Sequence, residues 1–308
     1  MRAIAEAPSK VILTGEHFVV HGAWALAAAL PRKVRVEVSE SSHLRVISDR
    51  PSSSKTQGLH PILSVVEAIG REFSFAPHLS VTISSEIPEG AGLGSSSSTM
   101  VAVSAAISRI HSLGFKASDI IRFSMVGEKE VHGHPSGIDA AACVIGGVIL
   151  FKSGNAPKKL SFKGRRSVLV AISGMKRSTR RLIRSVEGVK EIYPSLFMGL
   201  TEAASEVSLM AADRLAAGDM EGLGRLLSFN HAALSTIGTS NRTLNGLVDL
   251  ALSLGAYGAK LTGAGGGGSI VAVAPEGKEK SIILGLRRRG FDAFRADIPV
   301  SGVRSWLE

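Results

Sequence analysis

Two stretches of the first hundred residues alternate polar and apolar side chains with a period of two. Arg32 to Ser39 interleaves basic residues with valines, and Leu79 to Ile87 repeats the pattern. That spacing predicts half-exposed strands. Lys10 to Thr14 is a shorter apolar run that reads as a strand ending at Gly15, and His43 to Ser48 is expected to pair with the Arg32 strand. Polar Asp49 to Gly58 reads as a loop, and Leu59 to Phe73 switches to helical spacing. After the glycines at 90, 92 and 94, Met100, Val103, Ile107 and Ile110 share one helical face, with Ser95 or Ser96 as the expected N-terminal cap. Ala117 to His132 reads as a further helix. Gly133 to Gly137 interrupts it, and Ile138 to Val144 resumes it.

The second half is patterned differently. Short strands are predicted at Gly147 to Lys152, Lys158 to Phe162 and Ser167 to Ser173. Four helical segments follow in succession: Arg177 to Tyr193, Ser195 to Ala217, Met220 to Ile237 and Asn241 to Leu254. Strands at Ala259 to Thr262 and Ile270 to Ala274 flank a glycine run, and a helix from Lys278 to Arg289 leads to a strand at Asp292 to Ile298. Strands of antiparallel character with grouped helices predict an α+β fold. Gly, Pro and Lys accumulate between Asn155 and Arg165, which sets an expected division into domains 1–160 and 161–308.

Composition narrows this picture. The chain has 308 residues, 44% hydrophobic and 20% charged, enough for two well-filled cores. Its formal net charge is +10, which favours anionic partners. Aromatic residues are only 5%, too few to stack single-stranded nucleic acid, so no nucleic-acid partner is expected. The single cysteine, Cys143, lies in an apolar run and reads as a core residue rather than a nucleophile. Met1 to Lys10 lacks the apolar core of a signal peptide, and no uncharged apolar stretch reaches the roughly 20 residues that span a bilayer. A soluble cytoplasmic protein without a membrane partner is expected.

The chemistry concentrates in two glycine-rich loops. Pro88-Glu89-Gly90-Ala91-Gly92-Leu93-Gly94-Ser95-Ser96-Ser97-Ser98 runs from a strand into a helix N-terminus. Glycines let the backbone approach a ligand closely, and the helix start attracts an anion. No lysine follows the last glycine, so the loop is not a Walker motif. The second loop, Gly263 to Gly268, formally contains the dinucleotide-binding spacing, but a strand follows it where that motif requires a helix. It reads either as a tight loop or as one that crowds a ligand. Lys10, Glu128 and Asp139 lie beside these turns. A carboxylate that holds magnesium, a carboxylate that takes a hydroxyl proton and a cation to steady it make a set suited to phosphoryl transfer, although each residue alone reads equally as structural. The histidines at 17, 21, 132 and 134 lack zinc-site spacing.

Three segments together resemble the GHMP kinases: Ala7 to Gly22 (APSKVILTGEHFVVHG), Pro88 to Ser97 (PEGAGLGSSS) and Lys260 to Gly268 (KLTGAGGGG). They stand in the family's order and span nearly the whole chain. Gly15-Glu16-His17 with Val19-Val20-His21-Gly22, and the turn His132-Gly133-His134-Pro135-Ser136-Gly137-Ile138-Asp139, resemble the branch of the family that phosphorylates mevalonate. The resemblance implies a two-domain fold, with an N-terminal domain like domain 2 of ribosomal protein S5 and a ferredoxin-like C-terminal domain. It implies ATP and Mg2+ as cofactors, (R)-mevalonate as the small-molecule partner and a homodimer. It makes Asp139 the base with Lys10 beside it, Ser96 and Glu128 the metal ligands, and Pro88 to Ser98 the cradle for ATP. Glu16, His17, Ser136, Arg177 and Thr179 are implied near the substrate, and Thr262, Gly263, Ala264 and Gly265 are implied to close the site. Ser9 stands where the family commonly has glycine, and His134 where it commonly has asparagine. A family member with another acceptor, such as phosphomevalonate or a sugar, and a non-catalytic nucleotide- or nucleic-acid-binding protein are the alternatives.

Overall fold

The computed structural model describes residues 1–49, 59–133, 135–175 and 179–308. Strand β1 (Arg2–Thr14) pairs antiparallel with β2 (Ala25–Glu40), from Arg2 opposite Ser39 to Thr14 opposite Leu26. Both strands are longer than the sequence pattern predicts. The alanine-rich stretch Ala25 to Leu30 is buried throughout, and a strand covered on both faces shows no alternation. Strand β3 (Arg45–Ser48) does not pair with the Arg32 segment as expected. It runs parallel to β4 (Leu79–Ser85), with Val46 opposite Val81, because β4 itself occupies that edge of β2. Short strands β5 (Val148–Phe151) and β6 (Lys158–Lys159) extend the sheet beside the first part of β2.

Helices α2 (Ser95–Ile110) and α4 (Ile138–Ile145) pack on this sheet, and α1 (His60–Glu72) and α3 (Ala117–His132) pack against α2. Helix α2 is nearly enclosed, with buried residues all round from Ser97 to Ser108. Its cap is Gly94, in the left-handed region at φ 77°, not Ser95 or Ser96. A glycine cap brings no side-chain oxygen to compete for the N–H groups of the first turn.

The second sheet holds β7 (Arg166–Ile172), β8 (Gly258–Thr262), β9 (Ser269–Val273) and β10 (Asp292–Ile298) in the order β10-β7-β9-β8, all antiparallel. Helices α5 (Thr179–Ile192), α6 (Pro194–Ala217), α7 (Met220–Thr236), α8 (Arg242–Ser253) and α9 (Glu279–Arg288) complete this half. Asn241 caps α8 by accepting from the Leu244 N–H at 2.9 Å. The α+β class is as expected. A division at 160/161 falls between the two sheets with one exception: the last strand, β11 (Arg304–Leu307), returns to pair with β1. One hydrophobic core is continuous across the halves, joining Val11, Leu26 and Val101 to Val168, Leu215 and Val271.

Candidate active site

The ends of β1, α2, α3 and α4 converge on one cavity of about 790 Å³ at the junction of the halves. That volume suits a nucleotide or metabolite. Lys10 is buried on β1, 2% exposed, because the loop before α2 lies across it: a β-carbon at Gly94 would come within 2.8 Å of the Lys10 side chain. The Lys10 N–H also donates to the Leu93 carbonyl at 3.0 Å. Asp139 stands in the first turn of α4, whose start is set by Gly137 at φ 88° and by the Ser136 hydroxyl, which accepts from the Ile138 N–H at 3.4 Å. Lys10 Nζ and Asp139 Oδ1 are 2.8 Å apart. A lysine so enclosed is held in one position with its ammonium on the carboxylate.

Glu128, in the last turns of α3, is 2% exposed. Its carboxyl is pushed up to about 7, first by burial and then by the negative charge of Asp139, while hydrogen bonds from Ser96 and Ser97 oppose the shift. Two carboxylates, one ammonium and two serine hydroxyls from four segments thus share one cavity wall. Three residues implied by the family resemblance, Lys10, Glu128 and Asp139, are brought together here.

The remaining candidates separate. Along the phosphate loop, Pro88, Gly90 to Gly92 and Gly94 to Ser97 face the cavity. Leu93 points into the core, Glu89 is exposed, and the Ser98 hydroxyl is committed to the Pro8 carbonyl at 2.8 Å and the Gly94 carbonyl at 2.9 Å. Ser98 is fully buried beneath the loop and does not line the cavity. Gly263 and Ala264 line the cavity. Thr262 does not; its hydroxyl accepts from the Ile12 N–H at 3.0 Å and donates to the Ile12 carbonyl at 3.0 Å, stapling β8 to β1. Gly265 packs on Thr239, where a β-carbon would meet the Thr239 carbonyl at 2.1 Å.

Glu16 and His17 both line the cavity. His17 adopts φ 59°, unusual for a residue with a side chain, and its Nε2 lies 2.9 Å from the Ala264 carbonyl. Glu16 is buried against Lys260, whose ammonium also reaches the Ile12 and Leu261 carbonyls. Burial pushes the Glu16 carboxyl up and the Lys260 ammonium down, each opposed by the other's charge. Arg177 and the Thr179 side chain lie outside the described residues. Cys143 is buried beneath the site and its thiol is pushed up to about 12 by burial, in keeping with a core role.

Lys260 is a functional-site neighbour to which sequence reasoning assigned no role. Its signal is a lysine in a strand, Gly258–Thr262, whose every residue is buried. At the rim, His21 Nε2 lies 3.6 Å from Glu187 and its ring meets Phe197 edge-on at 4.9 Å, joining the turn after β1 to α5 and α6. Among the described residues no cluster of three or more His, Cys, Asp or Glu side chains is placed to hold a metal by itself, and no helix is long and apolar enough to cross a membrane.

Comparison with known proteins finds matches to one family in both halves of the chain. The family profile described as GHMP kinases N terminal domain matches residues 60–147, and the profile described as GHMP kinases C terminal matches residues 211–292. A mevalonate kinase from Aeropyrum pernix is 35% identical over 98% of both chains. One from Methanothermobacter thermautotrophicus is 32% identical over 98% of this chain and 100% of its own. The crystal structure of L. major mevalonate kinase in complex with R-mevalonate superposes with a TM-score of 0.84 at 30% identity, covering 96% of each chain.

Proposed function

This chain belongs to the GHMP kinases, and on that premise we propose that it transfers the γ-phosphoryl group of ATP to the C5 hydroxyl of mevalonate, releasing ADP. The observation that carries the reading is the contact of Lys10 with Asp139 at 2.8 Å, set between the glycine loop and the His17 turn. The acceptor hydroxyl gives its proton to Asp139 as its oxygen bonds to phosphorus and the bond from phosphorus to the β-phosphate oxygen breaks. Lys10, 2.8 Å from the Asp139 carboxylate, offers positive charge to the oxygen as it loses its proton. The N-terminus of α2 and the glycine backbone receive the phosphates. Glu16, His17, Ser136, Gly263 and Ala264 shape the acceptor side.

The donor set at Glu128 suits a hard cation. A buried carboxylate with serine hydroxyls supplies only oxygen ligands, and Mg2+ commonly takes one or two carboxylates and completes its shell with phosphates and water. Glu128 and Ser96 would hold Mg2+, which would neutralise phosphate charge when bound. A carboxyl near 7 deprotonates readily once a cation replaces its proton.

One assay tests the reading. The protein with Mg-ATP is offered mevalonate, phosphomevalonate, homoserine and galactose in turn while ADP release is followed. Turnover is expected with mevalonate, and turnover with another of these alcohols in its place sinks the substrate assignment. Asp139→Asn is expected to lower kcat by about 10²- to 10⁴-fold in a protein that still folds, with a lower melting temperature because buried Lys10 loses its counter-ion. Near-normal turnover in that variant rejects Asp139 as the base.

A further inference from the structure

A loop that cradles an anion must turn its carbonyl dipoles away from the ligand and its N–H groups toward it. In the loop before α2 two carbonyls are already held, one by β1 and one by the first turn of α2. The Leu93 carbonyl accepts from the Lys10 N–H at 3.0 Å, and the Gly94 carbonyl accepts from the Ser98 N–H and hydroxyl, each at 2.9 Å. The buried Ala91 carbonyl has no such local partner among the bonds of the loop and α2. It belongs to the peptide that joins Ala91 to Gly92, and Gly92 sits at φ 78°. Glycine accepts either sign of φ at little cost, so local backbone preference does not fix which way that peptide faces.

Ser269 fixes it from the other half of the molecule. Fully buried as the first residue of β9, just after the second glycine run, it donates its hydroxyl to the Ala91 carbonyl at 2.6 Å. We infer that Ser269 is a positioning residue for the phosphoryl donor: it holds the Ala91 carbonyl out of the phosphate site and thereby couples the two glycine loops. The inference rests on the reading that the loop from Pro88 to Ser97 receives the phosphates of ATP. The other end of the second glycine run is tied to the catalytic strand by Thr262 at Ile12, so the run is fastened at both ends. Without the hydroxyl, the buried Ala91 carbonyl loses its partner and is free to turn toward the phosphates.

The test measures MgATP binding by calorimetry and the KM of each substrate for the unaltered protein, Ser269→Ala and Ser269→Cys. Ser269→Ala is expected to weaken MgATP binding and raise its KM by about tenfold, the scale of one buried acceptor left unpaired. The KM for mevalonate is expected to stay within about twofold, because the second loop keeps its Thr262 and His17 anchors. The thiol of Ser269→Cys is similar in size but a weaker donor, and it is expected to fall between the two. If the alanine variant does not fold, the cysteine variant carries the comparison. Equal MgATP affinity in all three proteins overturns the inference, and so does a proportionate loss for both substrates. If the unaltered protein does not bind MgATP at all, the reading of the loop fails first and the inference falls with it.

Discussion

At the scale of single residues, the site is governed by how few charges are buried and how closely they sit. Lys10 has Asp139 as its counter-ion, while Glu128 has serine hydroxyls and a neighbouring negative charge. The consequence for Glu128 is a carboxyl raised from 4.5 to about 7 in the fold, by burial first and Asp139 second. A folded-state value above the unfolded one means that the native protein binds the proton more tightly. That stabilisation is fully present below about pH 4.5 and is lost as pH rises through about 7. Glu128→Gln removes the titrating group. Its metal-free melting temperature is expected to depend less on pH between about 5 and 8 than that of the unaltered protein, and to exceed it by a few degrees at the upper end. Turnover is expected to collapse in the same variant. Thermal melts across that pH range decide the matter, and parallel curves for the two proteins would show that Glu128 does not titrate there.

At the scale of elements, the sequence carries most of the helices and the half-exposed strands, because their patterns reflect one wet face and one dry one. What it conceals follows from losing that contrast. Ala25 to Leu30 is buried on both faces, so it offers no alternation, and β11 is a four-residue edge strand, too short to show a pattern. The α2 cap was hidden because four serines compete with Gly94 for the position by propensity, whereas the left-handed turn demands glycine. In the site, the sequence singles out Lys10, Glu128 and Asp139 through motif and spacing, and the fold brings the three into one cavity wall. The sequence does not show that the Ser98 hydroxyl turns to the Pro8 and Gly94 carbonyls beneath the loop, and it assigns Lys260 no role because a strand lysine ordinarily points to water. Lys260 joins β8 to the segment after β1 through Glu16 with no solvent around either group. Removing one member of such a pair leaves a buried charge without a partner, costing roughly 3–5 kcal/mol. Lys260→Met is therefore expected to destabilise the fold by that order, and Lys260→Met with Glu16→Gln to regain part of the loss. Denaturant titrations of the two single variants and the double variant form the cycle. Strictly additive losses would mean that the pair is not coupled.

At the scale of the whole molecule, two sheets could suggest two independent units, but the chain closes on itself. Strand β11 crosses back to the first sheet, where Ala3 lies opposite Leu307 and Glu6 opposite Arg304. Glu6 is nearly buried and takes two of its cations, Lys33 and Arg35, from β2, and the third, Arg304, from β11. The Arg32 guanidinium of β2 lies 3.9 Å over the Phe294 ring of β10. The core shared by Val11, Leu26, Val168 and Val271 would be opened by any cut between residues 160 and 161. A fragment of residues 1–160 thus keeps Lys10, Glu128 and Asp139 but exposes the edge of β1, the apolar surface under β7 and β9, and the Ala91 carbonyl that Ser269 holds. Unpaired strand edges and uncovered apolar faces favour association over folding. The fragment is expected to lack a cooperative thermal transition, to bind a hydrophobic dye and to show no measurable MgATP affinity. Circular dichroism melts, dye fluorescence and calorimetry on the fragment beside the whole chain make the comparison. A monodisperse fragment that melts cooperatively and binds MgATP would show instead that the first half builds the phosphate site by itself, and that the contacts across the junction only adjust it.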